Sequence, residues 1–150
     1  MKQVIFATAM LLTVGMTSAF ANKTDNINNQ VTTSFSKDFA TAKEVKWQKE
    51  TNYIKATFTM DSQVMFAYYN ENGDLIGVVR NILSDKLPIS LMSDLKKNYN
   101  NHWISDLFEM ASDGQSSYYI TLENANETLV LKSNGMNEWS VYKRTKKNIA

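Results

Sequence analysis

Few side chains in this chain could do chemistry, and their spacing does not favour it. His102 is the only histidine, so a Ser-His-Asp relay would have to be built around it. It stands in Asn100-Asn101-His102-Trp103, a polar link between a helical and a strand pattern, where a histidine is usually solvated or locally hydrogen-bonded. No Gly-x-Ser-x-Gly surrounds Ser84, Ser90, Ser93, Ser105 or Ser140. Paired carboxylates could serve a glycosidase without histidine. Asp106 and Glu109, however, are three apart and on a strand face opposite sides, and Asp61, Glu71 and Asp74 fall at turns. With no cysteine, thiolate catalysis and cysteine-type zinc sites are excluded. Asn70-x-Asn72-Gly73-Asp74 is no EF-hand: counted from Asn70, glycine is fourth rather than sixth and the twelfth residue is Asn81. No glycine-rich phosphate loop occurs. The expectation is a protein that is not an enzyme, with no catalytic residue, no metal and no cofactor.

The aromatic residues remain. Trp47, Trp103, Phe35, Phe39, Phe58 and Phe66 fall on positions expected to face a core. Tyr53, Met65, Tyr69, Tyr119 and Trp139 are expected on the other side of a sheet, where large rings with few rotors would anchor a partner. The competing reading is that they are cross-strand pairs stabilising a wet face.

Placing these side chains requires strands and helices in a definite order. Val31, Phe35 and Phe39 recur at four-residue spacing, one face of a helix ending near Ala42. From Val45 the period becomes two. Ile54, Ala56, Phe58 and Met60 alternate with polar residues; Val64, Phe66 and Tyr68 alternate with Met65, Ala67 and Tyr69; Leu75 to Ile82 is a further strand. Asp61-Ser62 and Asn70-Glu71-Asn72-Gly73 are turn-sized links. Pro88 suits a first helical turn, and Leu91, Leu95 and Tyr99 give a second helix over about Pro88 to Asn100. Four strands follow: Trp103 to Met110, Ser117 to Glu123, Thr128 to Lys132 and Glu138 to Arg144, with Asn134-Gly135 between the last two. The fold class is therefore α+β: a curved antiparallel sheet of about eight strands, built from two helix-plus-meander repeats (31–83 and 84–144), with both helices on one face.

The ends of the chain speak to location. Lys2, the apolar run Val4 to Gly15 and Ala19-Phe20-Ala21 make a secretory signal peptide over 1–21, with cleavage expected near Ala21. Residues 22–30 read as a disordered, Asn-rich leader, 31–144 as one domain and 145–150 as a basic tail. Losing Lys2 would balance the 15 acidic side chains with as many basic ones, so no global charge draws the protein to nucleic acid. No later stretch is long enough for a membrane helix. A periplasmic or extracellular location follows, with no stable membrane span.

The matching features along Val31 to Arg144 are the aromatic first helix leading into Val45-x-Trp47, the strand pair Tyr53 to Phe58 and Val64 to Tyr69, the Asn72-Gly73 turn, the Leu87-Pro88 helix start and Tyr99 closing that helix. The second half repeats the scheme with Tyr118-Tyr119, Leu129 to Leu131 and Asn134-Gly135. In these the chain resembles the PepSY-like, beta-lactamase-inhibitor-protein-like (BLIP-like) proteins secreted by bacteria. It departs from them in carrying Phe39-Ala40 where members often have Phe-Pro. The resemblance implies a helix-and-sheet fold with a curved antiparallel sheet and no catalytic residues to carry over. The expected function is a secreted non-enzymatic binding module, inhibitory in some relatives, holding a protein or peptide on its open sheet face. The alternative is a small-ligand carrier or weak hydrolase with a pocket between sheet and helices. A third reading, a passive envelope component, would self-associate through sheet edges.

Overall fold

The computed structural model describes residues 26–148; the expected signal peptide lies outside them. The order of elements is α1 (Asn29–Asp38), β1 (Lys43–Lys49), β2 (Ile54–Met60), β3 (Gln63–Tyr69), β4 (Leu75–Asn81), α2 (Ile89–Asn98), β5 (Trp103–Ser112), β6 (Gln115–Glu123), β7 (Glu127–Asn134) and β8 (Glu138–Lys146). All eight strands form one antiparallel sheet in chain order. The fold class is the expected one: a curved eight-stranded sheet with two helices.

Each helix covers one end of the same sheet face. Val31 and Phe35 of α1 pack on Ile54, Ala56, Phe58, Ala67 and Tyr69 of β2 and β3. Leu91 and Leu95 of α2 pack on Leu107, Ile120, Leu122, Leu129, Leu131 and Trp139 of β5 to β8. The four-residue spacing puts each apolar pair on one side of its helix. Asn28 caps α1 by accepting from the Gln30 N–H (3.0 Å). Pro88 stands at the start of α2. Phe39 and Tyr99 close their helices alike, their N–H groups donating to the Phe35 and Leu95 carbonyls at 2.8 and 2.9 Å.

The phase expected for β3 is corrected. Asp61 and Ser62 both have positive φ (51° and 63°), as a two-residue type I′ hairpin turn requires. Met60 is therefore opposite Gln63, Phe58 opposite Met65, Ala56 opposite Ala67 and Ile54 opposite Tyr69. Residues directly opposite one another share a face. The even-numbered core residues of β2 thus bring Met65, Ala67 and Tyr69 under α1, and turn Val64, Phe66 and Tyr68 to the helix-free face.

Candidate functional site

The helix-free face carries an apolar cluster of its own: Tyr53, Tyr68, Val79, Phe108 and Tyr119, with Phe66, Ile76, Met110 and Tyr142 packed beside it. Cross-strand register assembles it. Lys46, Thr57, Phe66, Val79, Met110 and Ser117 are successive partners from β1 to β6. Asn81, Phe108, Tyr119, Lys132 and Ser140 form the neighbouring row from β4 to β8. Phe108 stacks on Tyr119 at 5.1 Å between centroids, Tyr53 meets Tyr68 edge-on at 5.4 Å, and Tyr142 meets Tyr119 at 6.0 Å. Two ammonium groups lie over this floor: Lys55 Nζ is 5.0 Å from the Phe66 centroid and Lys132 Nζ 5.5 Å from that of Tyr119. Burial pulls the Lys55 pKa down from its ordinary value, with the Glu50 carboxylate opposing.

The five residues expected to anchor a partner separate into two groups. Tyr53 and Tyr119 do belong to the helix-free face, though both are buried within its cluster. Met65, Tyr69 and Trp139 sit on the helix-bearing face instead. Tyr69 is fully buried under α1, and its hydroxyl donates to Asp38 Oδ2 at 3.0 Å. Burial first, and then this bond, raise the Tyr69 pKa above the ordinary tyrosine range. Trp139 is buried against α2 with its indole N–H donating to the Leu91 carbonyl at 3.0 Å. The cause for Met65 and Tyr69 is the β3 phase set by the Asp61-Ser62 turn. Phe66 is corrected in the opposite direction, from core to helix-free face. Trp103, also expected in the core, is 55% exposed, with Lys147 Nζ 5.3 Å above its ring.

His102, Asp106 and Glu109 are engaged in local bonding. His102 Nε2 lies 2.9 Å from Asn124 Nδ2 and 3.5 Å from Glu127 Oε1, which also faces Arg144 through its other oxygen. Asp106 and Glu109 do point to opposite faces: Asp106 is opposite Thr121 on the helix-free side, and Glu109 is opposite Tyr118 and Arg80 on the other. Among the described residues no group of three His, Asp or Glu could hold a metal, and no helix is long and apolar enough to cross a membrane.

A cleft of about 530 Å³ opens on the helix-bearing face, where Arg80, Glu109 and Tyr118 meet Gln63 and Lys86. Its central charges satisfy each other. Arg80 bonds Glu109 at 2.8 Å, and Ser116 Oγ donates to the second Glu109 oxygen at 2.8 Å. Burial and the Glu109 charge raise the Tyr118 pKa against the opposing pull of Arg80.

No family model matches the chain, and no curated protein matches it. Solved structures do match. A DUF2874 family protein from Bacteroides ovatus ATCC 8483 superposes with a TM-score of 0.71 at 18% identity, over 81% of this chain and 89% of that one. A BLIP-like protein from Bacteroides fragilis NCTC 9343 gives 0.67 at 14% identity, over 82% and 88%. A candidate periplasmic protein from Bacteroides eggerthii DSM 20697 gives 0.70 at 12% identity, over 79% and 88%. At such identities the likeness is one of fold. It supports the BLIP-like half of the resemblance read from the sequence and gives no support to the PepSY-like half.

Proposed function

We propose that this chain is a periplasmic, non-enzymatic binding module that holds a protein or peptide on the helix-free face of its sheet. The observation that carries the reading is the aromatic floor formed by Phe66, Tyr68, Val79, Phe108, Met110 and Tyr119 on the face that neither helix covers. A face with rings at its centre and threonines, serines and lysines around it has the make-up of an interface core with a polar rim. The BLIP-like and candidate periplasmic neighbours point the same way through their names. Binding here would proceed by surface complementarity, with Met110 and Phe66 as the accessible apolar contacts and the buried Tyr53 and Tyr119 as their support. The test is capture from the periplasmic fraction of cells that make the protein, followed by Thr57→Arg and Met110→Arg. A captured partner should be lost from both variants. Retention by both would refute the reading.

The Arg80–Glu109 cleft favours a second reading, a carrier of a small polar molecule. Because its charges are internally paired, a ligand there would have to displace the Arg80–Glu109 bond. Thermal-shift screening of polar metabolites should then give hits that Arg80→Gln abolishes; hits indifferent to that change would count against it.

A further inference from the structure

The centre of the helix-free face holds cations that lack carboxylate partners among the described residues, unlike the strand cations at the middle of the other face. On the helix-bearing face three strand cations are matched, Lys49 with Glu71 at 3.1 Å, Arg80 with Glu109 at 2.8 Å and Arg144 with Glu127 at 3.4 Å, while Lys146 opposite Glu127 is not. On the helix-free face, register places Lys46 opposite Thr57, Lys55 opposite Tyr68, Lys132 opposite Tyr119 and Lys143 opposite Val130. Among the described residues none of these four lysines forms an ion pair with a carboxylate. The carboxylates nearby are committed. Asp106 accepts from Asn81 Nδ2 (2.8 Å) and the Leu107 N–H (2.9 Å), Glu44 from the Thr59 hydroxyl (3.1 Å), and Glu123 from Lys147 (2.7 Å). Two lysines therefore stand on either side of a ring-lined floor: Lys55 is buried and feels the Glu50 carboxylate without forming an ion pair with it, while Lys46, Lys132 and Lys143 are paired with no carboxylate among the described residues.

We propose that the helix-free face takes an extended acidic segment of a protein, laid across the strands with an apolar side chain on Phe66 and Met110 and a carboxylate at each end. This rests on the binding-module reading above. Lys46 and Lys55 would take one end, Lys132 and Lys143 the other. Lys55 and Lys132 lie on β2 and β7, five strand spacings or about 24 Å apart across the strands, with their rows (through Gly77 and Asn81) offset by about 13 Å along the strand. The resulting span of about 27 Å corresponds to about eight residues of extended chain. A bilayer is the poorer fit. The ammonium groups of Lys55 and Lys132 lie down on rings, and the most exposed apolar side chains, Leu83, Ile89 and Met136, are in connections and at a helix start, not on this face. The apolar floor would supply most of the affinity, and the lysines would supply orientation and discrimination.

The probe is a synthetic ten-residue peptide with two glutamates at each end and a six-residue uncharged centre built around Leu-Tyr-Val, alongside versions with Gln or Lys replacing every Glu. Binding to the intact protein is followed by fluorescence anisotropy in low and in high salt. The Glu peptide should bind at least about tenfold tighter than the Gln peptide at low salt, and the gap should narrow as salt is added. Lys46→Glu with Lys143→Glu, both exposed, should weaken the Glu peptide by about tenfold or more. Lys37→Glu with Lys96→Glu, on the helices, should change it less than about twofold. Equal binding of the Glu and Gln peptides, or no binding of the Glu peptide up to about 1 mM, overturns the proposal. So does lysine-dependent binding to phosphatidylglycerol vesicles that the Glu peptide does not compete. If Met110→Arg weakens all peptides while the lysine changes do nothing, the docking face stands and the acidic partner falls. If neither matters, the face itself is wrong.

Discussion

The two halves repeat one backbone plan and fill it with different matter. Leu91, Leu95 and Tyr99 repeat Val31, Phe35 and Phe39 at one constant offset, and the N–H of His102 reaches the Tyr99 carbonyl (3.1 Å) as that of Ala42 reaches Phe39 (3.0 Å). Both leading strands are also irregular near their starts, between Lys43 and Lys46 and between Ile104 and Asp106. The interiors diverge. Under α1, Phe35 touches the rings of Phe39, Trp47 and Phe58 at 5.0 to 5.3 Å, with Ala56 and Ala67 leaving them room. Under α2 the core is mostly leucine, with Ile120, and its aromatic members Tyr118 and Trp139 do not form a ring cluster like that around Phe35. A fold of this kind fixes where the apolar side chains point and leaves their shapes free, provided each half fills its own volume.

Emptying each core gives the largest expected effect. Phe35→Ala should cost about 4 kcal/mol and Leu95→Ala about 3 kcal/mol. Because one sheet joins the halves, each change should lower a single urea transition; two separate transitions would mean that the halves fold independently. The two Asn-Gly turns also differ. Asn72-Gly73 and Asn134-Gly135 look alike in sequence, and both glycines have positive φ (86° and 66°). A Cβ on Gly73 would meet the Gln30 carbonyl oxygen at 2.9 Å, whereas one on Gly135 meets nothing within 4 Å. Gly73→Ala should therefore cost about 2 kcal/mol or more, and Gly135→Ala only the conformational cost of about 1 kcal/mol. Equal losses in chemical denaturation would contradict the docking of that turn on α1.

Smaller effects concern the polar tie each half makes between sheet and helix. Tyr69→Phe removes the bond to Asp38, and Trp139→Phe removes the bond to the Leu91 carbonyl; each should cost about 1 kcal/mol. Only the first is pH-linked. The folded protein holds the Tyr69 proton more tightly than the unfolded chain does, so its contribution is complete below the ordinary tyrosine pKa near 10 and lost as pH rises beyond it. Alkaline unfolding of Tyr69→Phe should be correspondingly less steep above about pH 10, while Trp139→Phe should follow the parent curve.

The element order was legible because four-residue and two-residue periods are strong in this chain, and Pro88 marks the boundary between halves. The phase of β3 was legible too, but only by combining two clues. With a two-residue Asp61-Ser62 link, an even-numbered core on β2 demands an odd-numbered one on β3, so Tyr69 had to lie beneath α1. Hydrophobicity alone misleads there, since Val64, Phe66 and Tyr68 are as apolar as Met65, Ala67 and Tyr69. Trp139 was placed wrongly because tryptophan serves interfaces and cores equally well; its partner, a carbonyl in α2, leaves no local trace. Trp103 fails for a similar reason, its ring meeting Lys147 from the end of the chain. The ring-lined face with its unmatched lysines depends on register across all eight strands, which no single segment encodes.

The central claim is that the helix-free face is the one that binds. Ser117 and Ala111 lie on adjacent strands, with Ser117 beside Met110 on that face and Ala111 opposite Val78 on the other. The decisive measurement is the affinity of the captured partner for Ser117→Arg against Ala111→Arg. A loss of about tenfold or more for the first, with the second within about twofold of the parent, is the predicted result. Equal affinities, or the reverse order, would contradict it.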